Sequence, residues 1–280
     1  MSFSSLGLSS HLLHALAKQH YTDPYPIQKE AIPAILSGKD VLGVAPTGSG
    51  KTASFALPIL QQFQKKPVAK NRFIKALILV PTRELAVQVG DVFTMFAAQL
   101  PRAVKILSVF GGVSINTQMI HLQGVELLVA TPGRLLDLID SKALNISEID
   151  ILVIDEADKM LNLGFKAEMT SIFSLLPIQR QNLLFSATLG KEINTITEIL
   201  LQNPVKIEVK EDLKHIDLIQ QIAYDVAEER KGPMLRYLIQ EKNMQQVLVF
   251  TSSFAFTIPS LVDWAMVARI REEGLQHSKV

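Results

Sequence analysis

From Lys39 to about Val209 the chain alternates short apolar runs with longer segments of helical period. The apolar runs are Val41–Val44, Ala76–Val80, Val104–Phe110, Leu127–Ala130, Ile151–Ile154, Asn182–Phe185 and Val205–Val209. They are continuous rather than alternating with polar residues, which is how strands buried on both faces read. Between them, apolar positions three and four apart predict helices over Thr52–Gln64, Glu84–Gln99, Ile115–Leu122, Arg134–Ile139, Ala167–Leu176 and Ile193–Leu201. Strand alternating with helix implies right-handed crossovers and a doubly wound, mostly parallel α/β sheet covered on both faces.

The pattern breaks at the polar, charged stretch Lys210–Asp217, read here as part of a linker over 210–218. It then restarts with an apolar segment Ile219–Val226, a helix near Met234–Gln240 and a strand Val247–Phe250. A second lobe of this kind needs on the order of 100 residues. The expectation is therefore one complete lobe over 1–209 and an incomplete α/β lobe over 219–280.

Composition changes this picture little. Apolar residues make up 48% and charged residues 20% of 280 residues, an ordinary globular balance. The net charge of +1 does not advertise a polyanionic partner, so any basic surface must be local. There is no cysteine, which excludes disulfides, thiolate metal sites and thiol catalysis. The six histidines form no set with ligand spacing; His11 and His14 share a helical face and read as surface residues. No secretory signal pattern opens the sequence and no apolar run reaches about 18 residues. The expected setting is soluble and cytoplasmic.

Candidate chemistry begins at Ala45-Pro-Thr-Gly-Ser-Gly-Lys-Thr52, between an apolar run and a helical segment. Glycines let such a loop curl so that backbone N–H groups converge on a phosphate chain, and the following helix turns its positive dipole end to the same charge. Thr47, Gly48, Ser49, Gly50, Lys51 and Thr52 are thus candidate nucleotide ligands. Lys51 would reach the outer phosphates of ATP, and the Thr52 hydroxyl would ligate Mg²⁺. A second site follows the run Ile151–Ile154, where Asp155 and Glu156 stand side by side. Asp155 would hold Mg²⁺ and Glu156 would accept a proton from the attacking water. Polar, Gly and Arg residues also follow most other runs: Pro81–Glu84, Gly111–Gly112, Thr131–Arg134 and Ser186–Thr188. In an open parallel sheet these positions share the carboxyl edge, where ligands bind.

Taken in order, these motifs resemble those of the DEAD-box RNA helicases, over Phe3 to about Ser252. The resemblance implies a RecA-like P-loop fold and an ATP hydrolase acting on RNA. By that resemblance Phe3 would stack on adenine and Gln28, in Pro26-Ile27-Gln28, would read its edge. Thr82, Arg83, Gly111, Gly112, Thr131 and Arg134 would meet the RNA backbone, without base readout and with salt-sensitive affinity. Asp158, Ser186 and Thr188 would couple ATP state to RNA.

Three departures stand out. Ala45 replaces the usual first glycine of the loop, and His20 and Tyr25 stand where the family usually has Gly and Thr. Val247-Leu-Val-Phe-Thr-Ser-Ser253 resembles the start of a second lobe, but the match stops at Phe254 and no His-Arg-x-Gly-Arg string follows. An arginine finger contributes on the order of 10³–10⁵ in turnover. Without one the expectation is slow hydrolysis and no strand separation. Other readings stay open: a non-unwinding, nucleotide-dependent RNA-binding module or a competitor of full-length helicases, and a DNA-directed motor.

Overall fold

The structure is a computed structural model that describes residues 2–65, 73–209, 220, 222–247 and 249. The chain divides into two compact units, Met1–Asp212 and Leu213–Val280.

The first unit is built on seven strands: β1 (Val41–Val44), β2 (Ala76–Leu79), β3 (Ile106–Val109), β4 (Leu127–Ala130), β5 (Ile151–Ile154), β6 (Gln181–Ser186) and β7 (Val205–Glu208). They lie in the order β3-β4-β2-β5-β6-β1-β7, and every pairing is parallel. The central strands are buried throughout, whereas the edge strands β3 and β7 are partly open. This is the RecA-like doubly wound sheet that the apolar runs predict.

Among the described residues of this unit nine α-helices precede or connect the strands: α1 (Ser10–Lys18), α2 (Pro26–Leu36), α3 (Lys51–Lys65), α4 (Arg83–Ala97), α5 (Ile115–His121), α6 (Pro132–Asp140), α7 (Ala157–Asn162), α8 (Lys166–Leu175) and α9 (Lys191–Leu200). None is long and apolar enough to cross a membrane.

Alternation along the strands divides the core in two. Ala76, Ile78, Leu127, Val129, Ile151, Val153, Leu183 and Phe185 pack on one face with α1–α4. Leu77, Leu79, Leu128, Ala130, Leu152, Ile154 and Leu184 pack on the other with α6–α9. Successive side chains of a strand point to opposite faces, so an all-apolar run supplies both cores at once. Gly43 on β1 is required by this packing, since a β-carbon there would sit 2.6 Å from the Phe185 ring.

The amino end of the sheet is fixed by the buried Asp40 carboxylate. It accepts from the Asn182 backbone N–H at 2.8 Å, the Asn182 side-chain amide at 3.3 Å and the Gln202 N–H at 2.7 Å. One side chain thereby ties the starts of β1, β6 and β7. Gln61 of α3 plays the same part for the N-terminal arm, accepting from Ser9 N–H at 2.7 Å and donating to Gly7 O at 2.8 Å. With the amino edge closed by such contacts, the carboxyl edge is left for loops that bind.

In the second unit the described residues include a 3-10 turn, Glu228–Arg230, and helix α10 (Lys231–Glu241), neither with a buried residue. The expected linker at 210–218, two of the four residues of the expected strand at Val247–Phe250 and everything from 251 onward lie outside the described residues.

Candidate functional site

The Gly-rich loop leaves β1 and turns through Gly48 (φ 82°) and Gly50 (φ 86°) into α3. Both are left-handed conformations that a β-carbon would strain. Gly50 has a second constraint, because a β-carbon there would lie 2.4 Å from the Gln28 Nε2. Lys51 is buried and folded back on its own loop: its ammonium donates to Ala45 O at 2.6 Å and Pro46 O at 3.3 Å. The Ser49 hydroxyl is buried with no hydrogen-bond partner. A glycine turn that opens a helix and carries a lysine is a donor set suited to phosphate.

Asp155 and Glu156 end β5 and face the same cavity, of about 540 Å³, that Thr47, Gly48, Gly50, Lys51 and Thr52 line. Burial pushes the Asp155 carboxyl up to about 7, against the pull of the Lys51 charge; the neighbouring Glu156 adds to the rise. Its oxygen accepts from the Glu156 N–H at 3.0 Å. Glu156 takes a left-handed backbone (φ 53°, ψ 49°) at the start of α7, and its carboxylate pairs with Lys159 at 2.6 Å. A non-glycine residue held in that conformation marks a site where the fold fixes direction at some cost in strain. Asp155 and Thr52 are hard oxygen donors in one wall, the set Mg²⁺ prefers when phosphates supply its remaining ligands. The described residues hold no cluster of three His, Cys, Asp or Glu that would bind a metal alone.

The same cavity is also lined by Gln19, His20, Tyr21, Thr22, Asp23 and Tyr25. Phe3 does not reach the cavity: its ring is 4% exposed, packed in the core and edge-on to Tyr21 at 6.4 Å. The spacing of Phe3, Leu6, Leu8 and Leu12, all buried, belongs to an arm folded onto α3. Gln28 borders the cavity but has no exposed surface. Its oxygen accepts from Tyr25 N–H at 2.9 Å and its amide donates to Gly50 O at 3.1 Å. In this geometry Gln28 braces the Gly-rich loop.

The remaining motif residues lie along the carboxyl edge. Thr82 caps α4, its hydroxyl accepting from Leu85 N–H at 3.3 Å, and the exposed Arg83 sits over the Phe110 ring at 5.3 Å. Gly111 and Gly112 are exposed, the latter at φ 82°. Thr131 is buried at the start of α6, its N–H bonded to Val109 O at 3.1 Å. Arg134 lies deeper than Arg83. It is buried, donating to Gln118 Oε1 at 2.9 Å and Val113 O at 2.8 Å, while Gln118 donates to Phe110 O at 3.1 Å. Its guanidinium braces the Gly111–Gly112 loop from behind and is not offered to solvent.

Ser186, fully buried, donates to Thr188 O at 2.8 Å, and the Thr188 hydroxyl donates to Asp158 at 3.0 Å. The end of β6 is thus joined to α7, two residues beyond Glu156. Sequence reasoning did not single out Lys159, Gln118 or Tyr25 for a role. Only Tyr25 left a trace, as a departure from the motif.

A family profile described as DEAD/DEAH box helicase matches residues 25–196. The chain is 39% identical over 251 residues to the DEAD-box ATP-dependent RNA helicase CshA of Streptococcus pneumoniae, covering 89% of this chain and 47% of that protein. It is 38% identical over 250 residues to the ATP-dependent RNA helicase DeaD of Escherichia coli, covering 89% of this chain and 39% of that one. Among solved structures, a DEAD box protein from the hyperthermophile Methanococcus jannaschii superposes with a TM-score of 0.69 at 34% identity, over 86% of this chain and 63% of that one. The chain spans less than half the length of the curated relatives it matches.

Proposed function

The chain belongs to the DEAD/DEAH box helicase family, and from that we propose that it is the nucleotide- and RNA-binding lobe of an ATP-dependent RNA helicase. One observation carries the reading: Lys51, Asp155 and Glu156 line a single cavity closed on one side by a glycine turn.

In this reading the phosphates of ATP take the N–H groups of residues 47–52 and the Ser49 hydroxyl. Lys51 exchanges two neutral carbonyl partners for anionic oxygens, a stronger charge-assisted bond. Thr52 and Asp155 would hold Mg²⁺, which when bound would neutralise phosphate charge. That role requires Asp155 to be ionised, and a cation would oppose the burial that now favours its proton. Glu156, aimed by its left-handed backbone, takes the proton of the attacking water. RNA lies along Thr82, Arg83, Gly111, Gly112 and Thr131, gripped through its backbone, with Arg134 holding the glycine loop in shape. The Thr188–Asp158 hydrogen bond reports nucleotide state to that edge.

Residues 1–280 alone bind nucleotide and hydrolyse it slowly. The test is ATP turnover with and without single-stranded RNA, beside Glu156→Gln. Turnover above that control supports an active lobe. Turnover equal to it, with nucleotide still bound, marks the chain as a nucleotide-dependent RNA-binding module.

A further inference from the structure

We propose that Lys159 is a positioning residue for ATP hydrolysis, holding the Glu156 carboxylate in the orientation that takes the proton of the attacking water. The inference rests on the nucleotide-site reading above. The left-handed backbone of Glu156 (φ 53°, ψ 49°) fixes only the direction in which its side chain leaves. The side-chain torsions then place the carboxylate, and each has several populated wells. Lys159 selects among them: its ammonium meets the Glu156 Oε2 at 2.6 Å across one turn of α7. No other side chain among the described residues pairs with that carboxylate.

The anchor is itself held. The Lys159 N–H donates to Asp158 Oδ1 at 3.1 Å, and the other oxygen of Asp158 accepts from the Thr188 hydroxyl at 3.0 Å. The start of α7 is thereby pinned to the segment that ends β6, and Lys159 reaches back to Glu156 from that fixed point. Glu156 lines the cavity with Lys51 and Asp155, whereas Lys159 does not. Its effect therefore falls on the base and not on nucleotide binding. A general base works only within hydrogen-bond reach of the proton it takes, so a carboxylate left to rotate spends less time in place. The Lys159 side chain is 53% exposed, and so open a pair is weak, which limits the effect to about fivefold in rate.

The experiment is steady-state ATP hydrolysis with Mg²⁺ by residues 1–280, beside Lys159→Met, Lys159→Arg, Glu156→Gln and the double variant Glu156→Gln/Lys159→Met. Methionine keeps an unbranched stem and a good helix former while removing the charge. Lys159→Met should lower kcat about fivefold, with KM within about twofold of the parent. Lys159→Arg should keep kcat within about twofold of the parent, since a guanidinium reaches the same carboxylate one turn away. In the Glu156→Gln background the methionine should change nothing further, because the group it positions is gone. An unchanged or raised kcat in Lys159→Met overturns the proposal. So does a loss of the same size in the Glu156→Gln background, or a loss confined to KM. If the parent exceeds Glu156→Gln and Lys159→Met equals the parent, Glu156 stands as the base and the positioning role falls. If the parent turns over no faster than Glu156→Gln, the base and the positioning role fall together.

Discussion

The Thr188 hydroxyl donates to the Asp158 carboxylate at 3.0 Å, joining the end of β6 to the helix that begins beside Glu156. Thr188 is exposed and Asp158 half-buried, so the bond contributes little to stability, below about 1 kcal/mol. The proposed role for it is as a link between the cavity and the outer edge.

Thr188→Val keeps the shape and removes the donor. Nucleotide affinity and thermal midpoint should stay near the parent values, while RNA should no longer alter turnover or nucleotide affinity. RNA effects of the same size in the variant would remove the coupling role.

The Asp155 carboxyl titrates near 7 in the fold against 3.8 as its ordinary value. Between those values the folded chain retains a proton that the unfolded chain has lost. The contribution to stability is thus complete below about pH 4, falls as pH rises toward 7 and is flat above. Asp155→Asn removes the buried charge and should raise the thermal midpoint at pH 8 in chelator, by an energy on the order of a few kcal/mol. The gap should close toward pH 4. A gap independent of pH would show that burial of the charge is not its source.

Arg83 and Arg134 should differ in how RNA binding depends on salt. The exposed Arg83 can neutralise a phosphate, so Arg83→Ala should lower the salt slope of RNA affinity by about one. Arg134→Ala should weaken binding and lower stability with the slope unchanged, because that guanidinium is bonded to Gln118 and Val113. Titrations at four salt concentrations decide it; a reduced slope for Arg134→Ala would return that residue to the RNA contacts.

Asp40→Ala strips the partner from the backbone N–H groups of Asn182 and Gln202 at the amino end of the sheet. Loss of a buried carboxylate with three hydrogen bonds costs about 3 kcal/mol. Denaturant unfolding should show it, with nucleotide affinity per folded molecule unchanged.

Much of this was readable in advance. Runs such as Ala76–Val80 and Ile151–Ile154 are apolar at every position because their side chains feed two cores, and only a strand within a covered parallel sheet demands that. The glycine turn and the Asp155–Glu156 pair were readable because phosphate binding restricts residue types so tightly. Helix α7 was not foreseen, since six residues hold too few periodic positions to register. The surroundings of three residues were not readable. Phe3 and Gln28 were assigned by motif, and Arg134 by motif and by its place on the carboxyl edge, yet whether a ring, amide or guanidinium faces a ligand or its own backbone depends on tertiary contacts. Gly50 O, Gln118 and the arm held by Gln61 decide those three cases, and no local pattern encodes them.

The most direct test of the account is an equilibrium titration of ATP with Mg²⁺ into residues 1–280, beside Lys51→Ala. The account predicts saturable binding at one site, weakened at least about tenfold by the substitution, since Lys51 alone supplies a buried cation to the glycine turn. Equal affinity in the two proteins, or no binding to either, would contradict it.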